Sequence, residues 1–402
     1  MITSFWKEGH KPTLFAAFLY FDLAFMVWVL LGPLGPEVAK ALHLDPAHKG
    51  LMVATPVLAG AVLRVFMGLM VDRLGPKLTG AIGQIVVITG LLIAWSLGID
   101  SYDGVLALAL VLGVAGASFA VALPLASRWY PAEHQGKAMG IAGMGNSGTV
   151  LAALFAPLLA KAFGWQCVFG LVTIPLVICL GVYLLLAKNP PNRPAPMKLA
   201  AYLAPLKTSD AWWFMLFYAV SFGGFSGLTA SLSIYFHDLF SLTTVKAGWC
   251  SAACVFTGSF LRPFGGALAD KVGGIKSLSL LYIGIAALLV LVSASPASFL
   301  LTLGLFIIVM GAFGMANGAV FQLVPQRFGN EIGVMTGLVG CAGGFGGFYL
   351  ASSLGYAKQL TGSYQAGFLI FAAISLVALG VLTAIKAHWR ATWGAQLKAV
   401  RI

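Results

Sequence analysis

The sequence predicts an all-α membrane protein, with twelve transmembrane helices in two pseudo-symmetric six-helix bundles. Three observations carry that reading. Of 402 residues, 60% are hydrophobic and only 9% are charged, against about a quarter charged in a soluble domain. Apolar runs of span length follow one another along the whole chain, and a stretch rich in Pro and basic residues divides them six and six. A span uses roughly 20 apolar residues, so twelve use about 240 and leave no room for a large soluble domain.

In chain order, the first run (13–34) is of full span length. It closes on GPLGPE and not on a small-residue cleavage site, so it is expected to remain as span one. Spans two to six are expected at 51–70, 78–98, 104–127, 138–159 and 165–187. Residues 188–210 (KNPPNRPAPMKLAAYLAPLKTSD) cannot continue a helix, because Pro removes backbone donors and clashes with the preceding turn. They form the linker between an N-terminal bundle, 1–187, and a C-terminal bundle, 211–387. Spans seven to twelve follow at 211–236, 247–269, 277–295, 298–324, 333–356 and 364–386, and a short basic, Trp-bearing tail (388–402) is expected to lie on the membrane surface.

An even number of spans puts both termini on one side. Seventeen of the 24 Lys and Arg fall in the termini, the linker and the loops of that side. Five (Lys40, Lys49, Lys161, Lys246, Lys358) fall in the opposite loops and two inside spans. The positive-inside bias therefore makes the termini cytoplasmic, in a multi-pass protein of the cytoplasmic (inner) membrane. The net charge of +12 is then a topology signal and not a nucleic-acid footprint. Nine of the ten Trp lie near span ends or in the tails, as an interfacial belt requires, and Trp28 is the exception.

The five Cys lie in or beside spans without metal-ligand spacing, and no phosphate-binding Gly-Lys loop, nucleophile elbow or HExxH is present. The expectation is a monomeric protein without metal or cofactor, and not an enzyme.

An internal repeat locates the candidate site. RVFMGLMVDRLGPK from Arg64 matches RPFGGALADKVGGIK from Arg262 at an offset of 198, and GIAGMGNSG from Gly140 matches GLVGCAGGF from Gly337 at 197. A site between two such copies takes matching contributions from each. Arg64 and Arg262 are each buried about 9 Å or more inside a span end, at a cost of about 2.5–3.5 kcal/mol apiece at a helix centre. A guanidinium offers a planar fork of donors, so two of them facing across the pseudo-twofold axis suit a small planar oxyanion. Phe119, Tyr218 and Phe222 are the aromatic candidates beside them, the last two four residues apart on one helix face.

Spans five and eleven are rich in small residues, including Gly143, Gly145 and Gly148, then Gly340, Gly343 and Gly344. Such spacing lets helices pack backbone to backbone and slide. Asn146 is the polar member, with interhelical bonding and substrate contact both open to it. The loop after span two has the pattern G-x-x-x-D-R-x-G-x-K, with Gly68, Asp72, Arg73, Gly75 and Lys77. Its copy after span eight has Gly266, Asp270, Lys271, Gly273 and Lys276. The loop resembles the cytoplasmic signature of the major facilitator superfamily and reads as a latch closing that side or, alternatively, as a plain loop anchor.

Together with FMVWVLLGPLGP (25–36), YAVSFGGFSG (218–227) and the paired glycine runs, these residues resemble the nitrate/nitrite porter family of that superfamily. The resemblance implies the major facilitator fold and binding of nitrate or nitrite between the bundles by Arg64 and Arg262. It also implies that Phe119, Tyr218 and Phe222 sandwich the planar anion. Asp22 is the one carboxylate well inside a span, which makes it the candidate proton carrier or, alternatively, a fixed counter-ion. The expected function is nitrate transport with proton symport. The alternatives are nitrate/nitrite exchange and a non-transporting nitrate sensor.

Overall fold

Two glycines of the repeat end paired helices in the same way. Gly75 (φ 86°) and Gly273 (φ 104°) hold backbone angles that an L side chain resists, and each stops one helix and starts the next with no loop between. At the other end, Asp45 and Thr243 cap the same two helices, accepting hydrogen bonds from the backbone N–H of His48 (2.8 Å) and Lys246 (3.4 Å). The structure, a computed structural model, describes residues 8–191, 199–294, 298–328 and 332–396. Residues 192–198 of the linker and 397–402 of the tail lie outside the described residues.

Span one is Lys11–Trp28, span two Pro46–Leu74 and span three Pro76–Leu97. Span four breaks into Tyr102–Gly116 and Phe119–Ser127, and span six into Trp165–Leu171 and Thr173–Leu186. Span five runs as Ala132–Gly143, a 3₁₀ turn Met144–Ser147 and Gly148–Phe163, so its glycine signature is the point at which the helix tightens. Spans seven to twelve are Ser209–Phe240, Thr244–Val272, Gly274–Ser293, Phe299–Arg327, Ile332–Thr361 and Gln365–Ala391.

Among the described residues, eleven of these twelve segments are long and apolar enough to cross a membrane. Span eight is the other one. At 29 residues it is long enough, but it carries Arg262 and a polar end at Asp270 and Lys271. Span one stops six residues before the expected boundary, because Gly32, Pro33 and Gly35 turn the chain into a short helix, Gly35–Ala41. The linker holds two short turns, Leu199–Tyr202 and Ala204–Lys207.

The packing repeats between halves. Span one lies on span five as seven lies on eleven, two on four as eight on ten, and three on six as nine on twelve. The halves meet along two seams, span two against eleven and span five against eight, and the repeat exchanges one seam for the other. Twelve crossings leave residues 8 and 396 on one face, together with the linker turns. This is called the linker face, and the opposite side the far face. Apolar side chains such as Leu185 and Leu360 stand 81% exposed on the outside of the bundle, where lipid covers them.

On the far face the seams are closed. Gly50 of span two lies against the backbone of Gly355, and Gly248 of span eight against Ala153 and Pro157. Polar links between the halves add to them. Lys49 pairs with Asp238 (3.2 Å), and Thr244 donates to Glu37 (2.6 Å).

Candidate functional site

Arg64 is 1% exposed. Its Nε donates to the Gly116 carbonyl (3.2 Å), at the break in span four, and its Nη1 donates to the Gly340 carbonyl (2.6 Å), across the seam on span eleven. The break in span four leaves the Gly116 carbonyl open to this bond, whereas the Gly340 carbonyl, inside a continuous helix, accepts through its second lone pair. Rings of Trp28, Phe119 and Phe222 lie 5.5, 5.4 and 5.3 Å from the guanidinium, within cation–π range. Nη2 is buried without a partner.

Arg262 is held more lightly. Its Nη2 donates to the Tyr218 hydroxyl at 3.4 Å, the Phe321 ring lies 5.7 Å away, and Nη1 is buried without a partner. Among the described residues neither arginine is in an ion pair.

The aromatic residues close a circuit between the two charges. Phe222 under Arg64 stacks on Tyr218 (5.1 Å, interplanar 4°), and Tyr218 meets Phe321 edge-on (5.0 Å). Phe321 in turn lies 6.4 Å from Phe119, which returns to Arg64. The two guanidinium groups, from spans two and eight, thus share one aromatic frame and, among the described residues, each has one buried nitrogen without a hydrogen-bond partner. Leaving a buried charged donor unpaired costs at least about 1–3 kcal/mol, so an acceptor placed here would be bound favourably.

The structure places Arg64, Arg262, Phe119, Tyr218 and Phe222 in one cluster and adds Phe321 and Trp28 to it. Trp28, the tryptophan away from the interfaces, donates its indole N–H to the Pro56 carbonyl (2.8 Å) and lays its ring by Arg64. Asn146 lies in the 3₁₀ turn of span five, 3% exposed, with its Oδ1 unpartnered. No hydrogen bond among the described residues joins it to either arginine.

Asp22 is 8% exposed, and its Oδ1 accepts a hydrogen bond from the Ser147 hydroxyl at 2.6 Å. Gly145 and Gly148 explain how span one comes so near. A Cβ on Gly148 would land on the Asp22 carbonyl, and one on Gly145 would sit 2.8 Å from the Asp22 amide nitrogen. Phe21, beside Asp22, packs against Phe119 at 5.8 Å and so reaches the frame around Arg64.

The remaining glycines divide. Gly343 faces Tyr218 and Phe222, Gly344 faces Ala61 across the seam, and Gly340 lies against Arg64 and Phe119, whereas Gly143 faces open space.

At the linker face, Asp72 pairs with Arg128 at 3.2 Å, joining spans two and four, while Arg73 is exposed. The copy differs. Gly266 has no neighbour nearer than 3.7 Å to a Cβ, and Asp270 and Lys271 are exposed. The C-terminal half ties its span ends elsewhere, with Asp210 of span seven accepting from Arg327 Nε of span ten and from Trp389 Nε1 of span twelve. Gly68 and Gly337 both meet Tyr202 of the linker.

Comparison with known proteins agrees with this architecture. The family model of the Major Facilitator Superfamily matches residues 15–351. The chain is 30% identical over 366 residues to the nitrite extrusion protein of Bacillus subtilis, covering 91% of each chain. It is 31% identical over 361 residues to the probable nitrate/nitrite transporter NarK2 of Mycobacterium tuberculosis, covering 88% of this chain and 91% of that one. A solved bacterial homologue of the human lysosomal transporter Spinster, in an inward-facing and occupied conformation, shares the fold with TM-score 0.69 at 17% identity, over 93% of this chain and 96% of that one.

Proposed function

This chain belongs to the nitrate/nitrite porters of the Major Facilitator Superfamily, and on that premise we propose that it carries nitrate, and nitrite, across the cytoplasmic membrane by alternating access with proton symport. It is a multi-pass membrane transporter and not an enzyme. The observation that carries the reading is the pair of guanidinium groups on opposite seams, each with a buried nitrogen that has no hydrogen-bond partner among the described residues, joined by one aromatic frame. A planar trigonal anion matches that arrangement. Its oxygens take the free donors, and its faces lie against rings. Asn146 remains a polar candidate one helix away. Bundles 1–187 and 211–387 rock about the site as a monomer, with the linker face cytoplasmic.

The energetics require coupling. An inside-negative potential opposes entry of an anion by about 2.3 kcal/mol per charge per 100 mV, so at least two protons must accompany each nitrate for the potential to favour uptake. Asp22 is the intramembrane carboxylate, it bonds Ser147 of the glycine turn, and its neighbour Phe21 touches Phe119. Protonation there would loosen the span one to span five contact while the anion is loaded.

The test is uptake of labelled nitrate and nitrite by purified protein in liposomes, with pH gradient and voltage imposed separately. Asp22→Asn is expected to abolish pH-driven uptake and to spare nitrate/nitrite counterflow. Undiminished pH-driven uptake in that variant would remove Asp22 as the carrier. Fast exchange by the wild type without proton movement would replace symport by antiport.

A further inference from the structure

Two motif glycines from opposite halves have the same neighbour. Gly68, in the loop signature that ends span two, and Gly337, which opens the glycine run of span eleven, both lie against the phenol of Tyr202. A Cβ on Gly337 would fall on the Tyr202 hydroxyl, and one on Gly68 would sit 3.1 Å from it. Tyr202 belongs to neither bundle. It ends the short linker helix Leu199–Tyr202 and is 3% exposed.

The place it fills is specific. Gly68 is one helical turn from Arg64, and Gly337 is three residues from Gly340, whose carbonyl takes the Arg64 Nη1 bond. The ring is therefore wedged into the span two to span eleven seam one turn on the linker side of the anion frame. At Gly337 the wedge takes the volume of a side chain, and at Gly68 a Cβ would fit only if the hydroxyl gave way by a few tenths of an ångström. The other seam has no such wedge among the described residues. Gly140 and Gly143, which the repeat pairs with Gly337 and Gly340, face open space.

We propose that Tyr202 is the linker-face gate of the transport path: a side chain carried by the interbundle linker that stoppers the seam below Arg64 and leaves it when that face opens. The role rests on the transport reading given above. Burial, and then the nearby Asp72 carboxylate, hold the phenol above its ordinary pKa, so the stopper is a neutral hydroxyl throughout the physiological range. It therefore closes by shape, and the anion is not trapped by a cation at the exit. Because the linker joins the bundles, their relative rotation pulls directly on the residue that blocks the seam.

The gate is tested without reference to any substrate. Cys341 lies one turn beyond Gly337 on the same helix face, beside Gly340. In inside-out vesicles, its modification by a membrane-impermeant maleimide, read by mass spectrometry, reports opening at the linker face. Tyr202→Ala is expected to speed labelling about tenfold, equivalent to about 1.4 kcal/mol. Gly337→Ala should do the same by evicting the hydroxyl, and Gly337→Ala combined with Tyr202→Phe should return labelling towards the wild-type rate. Wild-type labelling in Tyr202→Ala, or a Gly337→Ala effect that Tyr202→Phe leaves unchanged, overturns the gate. Failure of the wild-type protein to take up nitrate while this labelling pattern holds would instead count against the nitrate reading alone.

Discussion

Arg64 and Arg262 hold the same place in the repeat and are held in opposite ways. Arg64 gives two donors to backbone carbonyls, one of them across the seam, and is flanked by three rings. Arg262 has one long bond to Tyr218 and one ring, Phe321. Under the proposed function, the first is part of the wall that joins the halves, and the second is the clamp that its neighbours only guide. A pseudo-symmetric pair can thus be held unequally, and the proposal gives one member the closed geometry and the other the response to the ligand.

That division is broken or sharpened first at the arginines themselves. Arg64→Lys and Arg262→Lys keep the charge and lose the fork. Each loses charge-assisted bonds worth about 1.5–3 kcal/mol, so nitrate affinity should fall about 10–150-fold in both, measured by calorimetry on the purified protein. Only Arg64→Lys should also lower the thermal denaturation midpoint, because two buried carbonyls lose their donor. Equal stability loss in both variants would erase the distinction.

Next come the rings. Phe321→Leu removes the one ring by Arg262 and should weaken anion binding about tenfold. Phe119→Leu leaves Arg64 two others and should cost roughly two- to threefold, within the range of a cation–π contact. The reverse order would show that Arg64 is the responsive clamp.

The smallest effect lies at the paired helix caps, where the halves differ in chemistry. Asp45 accepts the His48 backbone N–H, which holds its carboxyl below the ordinary value of 3.8, while Thr243 does the same work without titrating. A depressed carboxyl adds stability in full above pH 3.8, and that stability is lost as pH falls through the folded-state value. Asp45→Thr should therefore flatten the acid limb of stability by about 0.5–1 kcal/mol. Denaturation midpoints measured between pH 3 and 6 that remain parallel to wild type would refute this.

Much of this comparison was legible in the sequence. The repeat aligned Arg64 with Arg262, hydropathy marked the spans, and Asp22 stood out because a carboxylate is costly inside a membrane helix. Phe321 was not legible, since its repeat counterpart is Leu123, which has no ring to mark the position. Its direction follows from Gly314 and Gly318, which let span ten lie on the backbone of span eight and aim the next turn at Arg262. The glycines at 311, 314 and 318 were the available signal. Trp28 did carry a signal, as the tryptophan away from the interfaces, but its meaning depended on a carbonyl of span two. The break in span four beside the Gly116 carbonyl that Arg64 bonds is marked by no local propensity. Tyr202 was hidden because a Pro-rich linker reads as a tether, and only the folded chain brings it between two glycines. In the same way, the tie of Arg327 to Asp210, where the repeat would lead one to expect Asp270, is a tertiary choice between two aspartates.

The far-face seams, where Gly50 lies on Gly355 and Gly248 on Ala153, also set how the protein can be tuned. Contact between bare backbones offers no side chain to lose and many to gain. Each added methyl acts as a spacer that biases the resting balance towards the conformation open on that side. Evolution, or an engineer, can therefore adjust how long the proposed carrier waits with its far face closed without altering any residue of the candidate anion site. In such a design the set point of the cycle and the identity of the cargo are inherited separately.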